Sequence, residues 1–248
     1  MRKSFYTRLA VGGLLLIVLS VVVAFAAGNA TGGFAVAPPA MISLIAALLL
    51  IVTGRGLILA AVISFLAFML FGVFEPLGDP LRHLESFSDF VPTLMRAIGS
   101  ALGLVGSVVA LLQSRRGPAA LRHGSATEKR LVKIGTAGLV VVAVGSAVLT
   151  YTRNLEINAP PGASVVETVD DRFSPSELSL EEGPHTILVV NRDSYAHTFS
   201  VDELDLDVYV GPRADRLITF DVPDDPGRHD LYCAVTGHED MTGTIEFS

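Results

Sequence analysis

Five stretches in the first 151 residues are uncharged and predominantly apolar: residues 9–27, 34–53, 57–74, 97–113 and 134–151. A helix needs about 20 residues to cross a hydrocarbon core of roughly 30 Å, or about 17 when flanking side chains snorkel. The pattern therefore predicts five transmembrane helices. After Tyr151 the period changes. A linker over residues 152–162 contains Pro160 and Pro161, and from residue 163 onward the apolar runs become short and rich in β-branched residues. They cover residues 165–169, 177–180, 185–191, 197–201, 206–210, 216–222, 230–234 and 243–247, with Gly, Pro and Asp turns between them. In the sixth, Ile218, Phe220 and Val222 alternate with Thr219 and Asp221, as in a strand wet on one face. Such strands in so short a segment predict an all-β, antiparallel Greek-key sandwich. The expected organisation is thus an all-α transmembrane bundle over residues 1–151, the linker, and a β-domain over residues 163–248.

Charge divides the chain at the same place. Residues 1–151 hold 12 Lys and Arg against 5 Asp and Glu, whereas residues 152–248 hold 6 Arg against 20 Asp and Glu; net +7 and −14 make up the formal −7. An acidic domain repels phosphate backbones, which argues against nucleic acid as a partner. In the helical half, basic residues gather at the N-terminus (Arg2, Lys3, Arg8), at Arg55, and in the loop from Ser114 to Lys133. Acidic ones gather between the third and fourth runs (Glu75, Asp79, Glu85, Asp89). The positive-inside rule then predicts a multi-pass protein of the cell membrane, with a cytoplasmic N-terminus and an extracytoplasmic β-domain. The first run, with its basic start and Ala24-Phe25-Ala26 end, also fits a cleavable signal peptide, which would leave the β-domain on the same side. Gly99, Gly103 and Gly106 suggest close packing of the fourth helix on a neighbour. The runs themselves contain no His or charged residue that would serve a haem or an ion relay.

The chemistry concentrates near the C-terminus. Cys233, the only cysteine, lies five positions before His238 and eight before Met241. A thiolate, an imidazole and a thioether are soft ligands, which favour copper over magnesium, calcium or manganese. The missing strong ligand is expected from His197, in the segment Asp193-Ser-Tyr-Ala-His197-Thr-Phe199. Two His and one Cys with an axial Met is the donor set of electron-transfer copper sites. Zinc is the competing metal, but a zinc site more often closes with a fourth strong ligand than with Met. A binuclear copper centre would need a second bridging cysteine. His83, His123, His185 and His229 are expected to be structural or surface residues.

Three segments carry a family resemblance: Phe173-Ser-Pro-Ser-Glu177, Asn191 to Phe199, and the loop from Tyr232-Cys233 to Met241-Thr-Gly243. In order and spacing they resemble the blue copper proteins of the plastocyanin and azurin group, the cupredoxins, over about residues 163 to 248. The resemblance implies a type 1 site for one Cu(I)/Cu(II) ion, with His197, Cys233 and His238 equatorial and Met241 axial. The expected function is a membrane-anchored, non-enzymatic carrier of single electrons, whose partner is a redox protein such as a cytochrome or terminal oxidase. The alternative is extracytoplasmic copper capture, delivery or sensing.

Overall fold

The computed structural model describes residues 4–27, 30–53, 56–74, 81–84, 86–116, 124–155, 159–224, 227–235 and 237–248. The charges at Arg2, Lys3, Arg55, Glu75, Asp79, Glu85 and Arg122, and His123, lie outside them. The chain divides into two compact units, Met1–Val148 and Leu149–Ser248.

The first unit is built from helices α1 (Phe5–Ala26), α2 (Ala30–Thr53), α3 (Leu57–Phe74) and α4 (Phe87–Arg115), with α5 (Ala126–Leu155) continuing past its end. Among the described residues, α1, α4 and α5 are long and apolar enough to cross a membrane, and α2 and α3 contain shorter apolar stretches. The glycines of α4 lie against α1: a Cβ added at Gly99 would sit 2.7 Å from the Gly13 carbonyl oxygen, and one at Gly106 2.8 Å from that of Tyr6. Helix backbones approach this closely only where side chains are absent.

Two helices extend furthest beyond the apolar runs that announce them. α4 starts ten residues before the run at Ala97 and so includes Asp89 and Arg96, both buried. Arg96 donates to the Pro92 carbonyl (3.3 Å) and to Thr93 Oγ1 (3.2 Å), so its guanidinium folds back on its own helix. α5 starts at a capping box: Glu128 N–H donates to Ser125 Oγ (3.1 Å) and Ser125 N–H donates to Glu128 Oε2 (2.6 Å). It runs to Leu155, so the first four residues of the expected linker are helical, and residues 156–158 lie outside the described set.

Among the described residues, the second unit holds nine strands: β1 (Ser164–Thr168), β2 (Phe173–Ser174), β3 (Glu177–Leu180), β4 (Gly183–Asn191), β5 (His197–Val201), β6 (Leu206–Val210), β7 (Asp215–Val222), β8 (Gly227–Tyr232) and β9 (Thr242–Phe247). They form a four-stranded sheet, β2-β1-β4-β7, and a five-stranded sheet, β3-β9-β8-β5-β6. The sandwich is mixed rather than antiparallel throughout. β1 pairs in parallel with β4 (Ser164 opposite Ile187), and β3 in parallel with β9 (Glu177 opposite Thr244). The chain passes from β2 to β3 in the other sheet before returning in β4, and that crossing lets β1 and β4 run the same way side by side. The direction of β1 against β4 is set by which sheet β3 joins, which no single strand's pattern states.

Between the sheets lies one apolar core that includes Val166, Ile187, Val189, Phe199, Val201, Leu231 and Ile245. Phe199 is fully buried and meets Phe173 edge to face, with centroids 6.1 Å apart. Cys233 and Met241 belong to the same core, so the loop that carries them is anchored from beneath.

Candidate metal centre

Two pieces of chain meet at one end of the sandwich. His197 opens β5, and the loop from Cys233 to Met241 joins β8 to β9. The loop closes on itself: Cys233 N–H donates to the Met241 carbonyl (3.1 Å), His238 N–H to that of Val235 (3.0 Å), and Met241 N–H to that of His238 (2.9 Å). Gly237 has φ +92°, a left-handed conformation that side chains resist, which explains a glycine immediately before His238.

These backbone constraints bring the expected donors together. His197 Nδ1 lies 3.8 Å from Cys233 Sγ, and His238 Nδ1 lies 3.7 Å from it. The three ligand atoms all fall within 4.8 Å of one another. Bonds of about 2.0–2.1 Å to nitrogen and about 2.3 Å to sulfur, the lengths found with zinc, place N and S about 3.8 Å apart in a trigonal plane. The spacing therefore fits an ion held by all three. Met241 is buried beside Cys233 in the core. His197 is wholly buried, whereas the His238 side chain is 17% exposed, so His238 is the imidazole that meets solvent.

The surrounding shell is polar and ordered. Thr198 N–H donates to Cys233 Sγ (3.3 Å), while Thr198 Oγ1 accepts from Ala234 N–H (2.6 Å) and Ser200 Oγ (2.8 Å). His197 Nε2 bonds Asp193 Oδ2 at 2.9 Å. That bond places the ring proton on Nε2 and leaves the Nδ1 lone pair facing the sulfur. Tyr195 lies edge-on to both imidazoles, with centroids 5.2 Å from His197 and 5.3 Å from His238. Burial, with a hydrogen bond to Asp171, pushes its phenol well above the ordinary tyrosine range. Asp171, Asp193 and His197 also place one ligand atom each within 4.8 Å, on the Nε2 side of the ring.

Sequence reasoning missed Asp193, Asp171, Tyr195 and Thr198 as parts of this shell. Asp193 carries a signal, four residues before His197. Asp171 carries none, because its place depends on the β1–β2 turn. His185 and His229 stand apart from the centre: His185 Nε2 bonds the Glu181 carbonyl (2.7 Å), and His229 packs on Phe247.

Burial holds the His197 imidazole below its ordinary value, against the opposing pull of Asp193. A group whose folded pKa is lowered takes up its proton first in the unfolded chain. The contribution is therefore fully present above the unfolded value of about 6.5 and is lost as pH falls through it toward the folded one. The metal-free protein should melt at progressively lower temperature below about pH 6.5, and His197→Gln should flatten that slope in melts taken at a series of pH values.

Residues 139–245 match the family model described as a cupredoxin-like domain. Solved structures similar to this chain include the reduced Cu(I) form of an amicyanin variant at pH 4 (24% identity, 38% of this chain and 89% of that chain, TM-score 0.31). An oxidised amicyanin variant matches at 22% identity with the same coverage and TM-score. The metal-binding domain of the Streptococcus pneumoniae Cu(I)-exporting P-type ATPase CopA, with Cu(I), matches at 18% identity over 37% of this chain and 91% of that chain, TM-score 0.31. No curated protein matches the chain. By the family match and its two-sheet architecture, the C-terminal unit is a cupredoxin-like domain, fused to a helical N-terminal region that contains helices of membrane-spanning length.

Proposed function

We propose that this protein is a membrane-anchored carrier of single electrons in which His197, Cys233 and His238, with Met241 buried beside them, would hold one copper ion. One observation carries the reading: both imidazole Nδ1 atoms converge on a buried thiol at 3.7 and 3.8 Å, the spacing that a three-coordinate soft-metal plane requires. A copper ion held there would supply one-electron chemistry between Cu(I) and Cu(II). The residues do the rest. His197, Cys233 and Met241 are buried in a packed core, which excludes water and keeps the ligand positions fixed as charge changes. His238 reaches the surface and offers the short path out.

The rim around that path is acidic. Asp170, Asp171, Glu239 and Asp240 are all exposed, and Asp171 Oδ1 lies 3.9 Å from His238 Nε2. Such a rim favours a redox partner with a basic docking face. The loop charges support an extracytoplasmic position for the domain, with the helices as its anchor. The burial of Cys233 and Met241 suits electron exchange through His238 better than handing the ion to another protein.

The test is a redox titration of the full-length protein, purified in detergent and loaded with copper. One copper per chain, an intense visible charge-transfer band, and reversible bleaching on one-electron reduction are expected. A colourless complex, or copper that leaves on reduction, overturns the proposal.

A further inference from the structure

The carboxylate of Asp193 touches more of the centre than one ligand. Its Oδ2 bonds His197 Nε2 at 2.9 Å, and its Oδ1 accepts the Asp170 N–H at 3.0 Å, with the Asp171 N–H at a longer 3.5 Å from Oδ2. Asp170 and Asp171 form the tip of the β1–β2 hairpin, closed by Val169 N–H to the Arg172 carbonyl (3.0 Å) and Arg172 N–H to that of Val169 (3.1 Å). Both tip residues have positive φ, 50° and 57°, as the central residues of a type I′ turn do. Glycine and asparagine usually fill such positions, and non-glycine residues there cost about 1 kcal/mol or more each. Here the Asp193 carboxylate accepts from their N–H groups, and the tip that it holds presents Asp171 to His238 Nε2 and to the Tyr195 phenol.

Asp193 is itself held on its backbone side. Its N–H donates to Asn191 Oδ1 (2.8 Å), and its carbonyl accepts from Arg213 N–H (3.0 Å). Its side chain is 10% exposed. A carboxylate so fixed, with one oxygen on a ligand and the other on a strained turn, does two things. It sets the tautomer and plane of His197 directly, and it sets the electrostatics of His238 through Asp171.

We infer that Asp193 is the positioning residue of the centre, tying the buried imidazole and the β1–β2 hairpin tip into one unit so that both histidines keep their places around the metal. The inference rests on the copper reading above, and its chemistry follows from the outer-shell rule that ligating imidazoles are oriented by what their second nitrogen bonds. Asparagine at this position has one acceptor where the carboxylate has two. Asp193→Asn therefore satisfies His197 or the hairpin tip, but not both, and it removes a negative charge that favours Cu(II) over Cu(I).

The experiment compares wild type, Asp193→Asn and Asp193→Ala as full-length, copper-loaded chains. Asp193→Ala should weaken Cu(II) binding by about 10–100-fold, the usual cost of losing an outer-shell partner. Asp193→Asn should keep the visible band and shift the Cu(I)/Cu(II) preference toward Cu(I) by about tenfold, equivalent to 59 mV for one electron. A residue with a merely structural role would lower the melting temperature and leave that preference unchanged; copper-loaded variants at the wild-type potential and affinity overturn the inference. If the wild type takes up no copper, the copper reading fails, and nitrogen NMR of the metal-free protein decides this one. Loss of the hydrogen-bonded signal of either the His197 Nε2 proton or the Asp170 amide in Asp193→Asn supports the tie, and both signals unchanged refute it. Should Asp193→Ala not fold, the Asp193→Asn spectra and potential carry the test.

Discussion

Replacing Cys233 with serine is expected to abolish the visible charge-transfer band of the copper-loaded protein while leaving the β-domain folded. The band requires a thiolate bonded to Cu(II), and Cys233 is the only thiol in the chain. Serine keeps nearly the same shape but presents a hard hydroxyl that stays protonated, so the donor set loses the ligand that selects copper. Both imidazoles would then face an oxygen, and copper affinity should fall by more than the roughly 10–100-fold that loss of an outer-shell partner costs. The fold should tolerate the change, since Thr198 N–H, which donates to Sγ at 3.3 Å, can donate to a hydroxyl. An added polar group in the core costs about 1–3 kcal/mol when poorly paired. Absorption and electron paramagnetic resonance spectra of copper-loaded wild type and Cys233→Ser decide the matter: an undiminished band in the variant would place copper elsewhere.

Why the ligand spacing was readable while much of the surrounding shell was not follows from chain distance. Cys233, His238 and Met241 share one loop, so their identities and separations are local facts of the sequence. His197 opens a strand 36 residues earlier, and the β-pattern together with the family resemblance was enough to place it. Asp171 reaches the centre only because the hairpin tip adopts two left-handed conformations, and nothing in Val169-Asp-Asp-Arg172 states that in advance. Strand direction escaped for a related reason. Which residues β1 and β4 bury does not state whether they run parallel or antiparallel, and the pairing depends on which sheet β3 joins.

In the helical half the difficulty was of another kind. An apolar window locates what is compatible with hydrocarbon, but backbone hydrogen bonding continues through any residue whose polar groups find partners. α4 therefore runs through Asp89 and Arg96, both ahead of the apolar window. The start of α5 was written in the chain as Ser125-Ala-Thr-Glu128, a capping box that the window overlooks. A capping motif marks a helix end more sharply than the edge of a hydropathy window.

Asn191→Leu should be the most damaging change outside the ligands. Asn191 is buried at the end of β4, and its amide nitrogen lies within hydrogen-bonding distance of three carbonyls, those of Tyr195 (2.8 Å), Val210 (3.2 Å) and Gly211 (2.9 Å). Its Oδ1 accepts from Thr168 Oγ1 (3.1 Å) and from Asp193 N–H (2.8 Å). One side chain thus fastens β1, the segment leading to His197, and the end of β6 together. Leucine fills similar volume but satisfies none of these groups, and each buried group left without a partner costs about 1–3 kcal/mol. With partial relaxation the total should reach about 3–5 kcal/mol, a large share of the roughly 5–15 kcal/mol that holds a domain folded. The loss also frees Asp193, so His197 should lose its fixed orientation before the domain unfolds. Melts of the metal-free Asn191→Leu protein should show the fall in stability, and its copper-loaded form should show a weakened, shifted visible band. A variant with wild-type melting and spectrum would mean that the segment between β4 and β5 is held by its other backbone contacts, with Asn191 incidental to the centre.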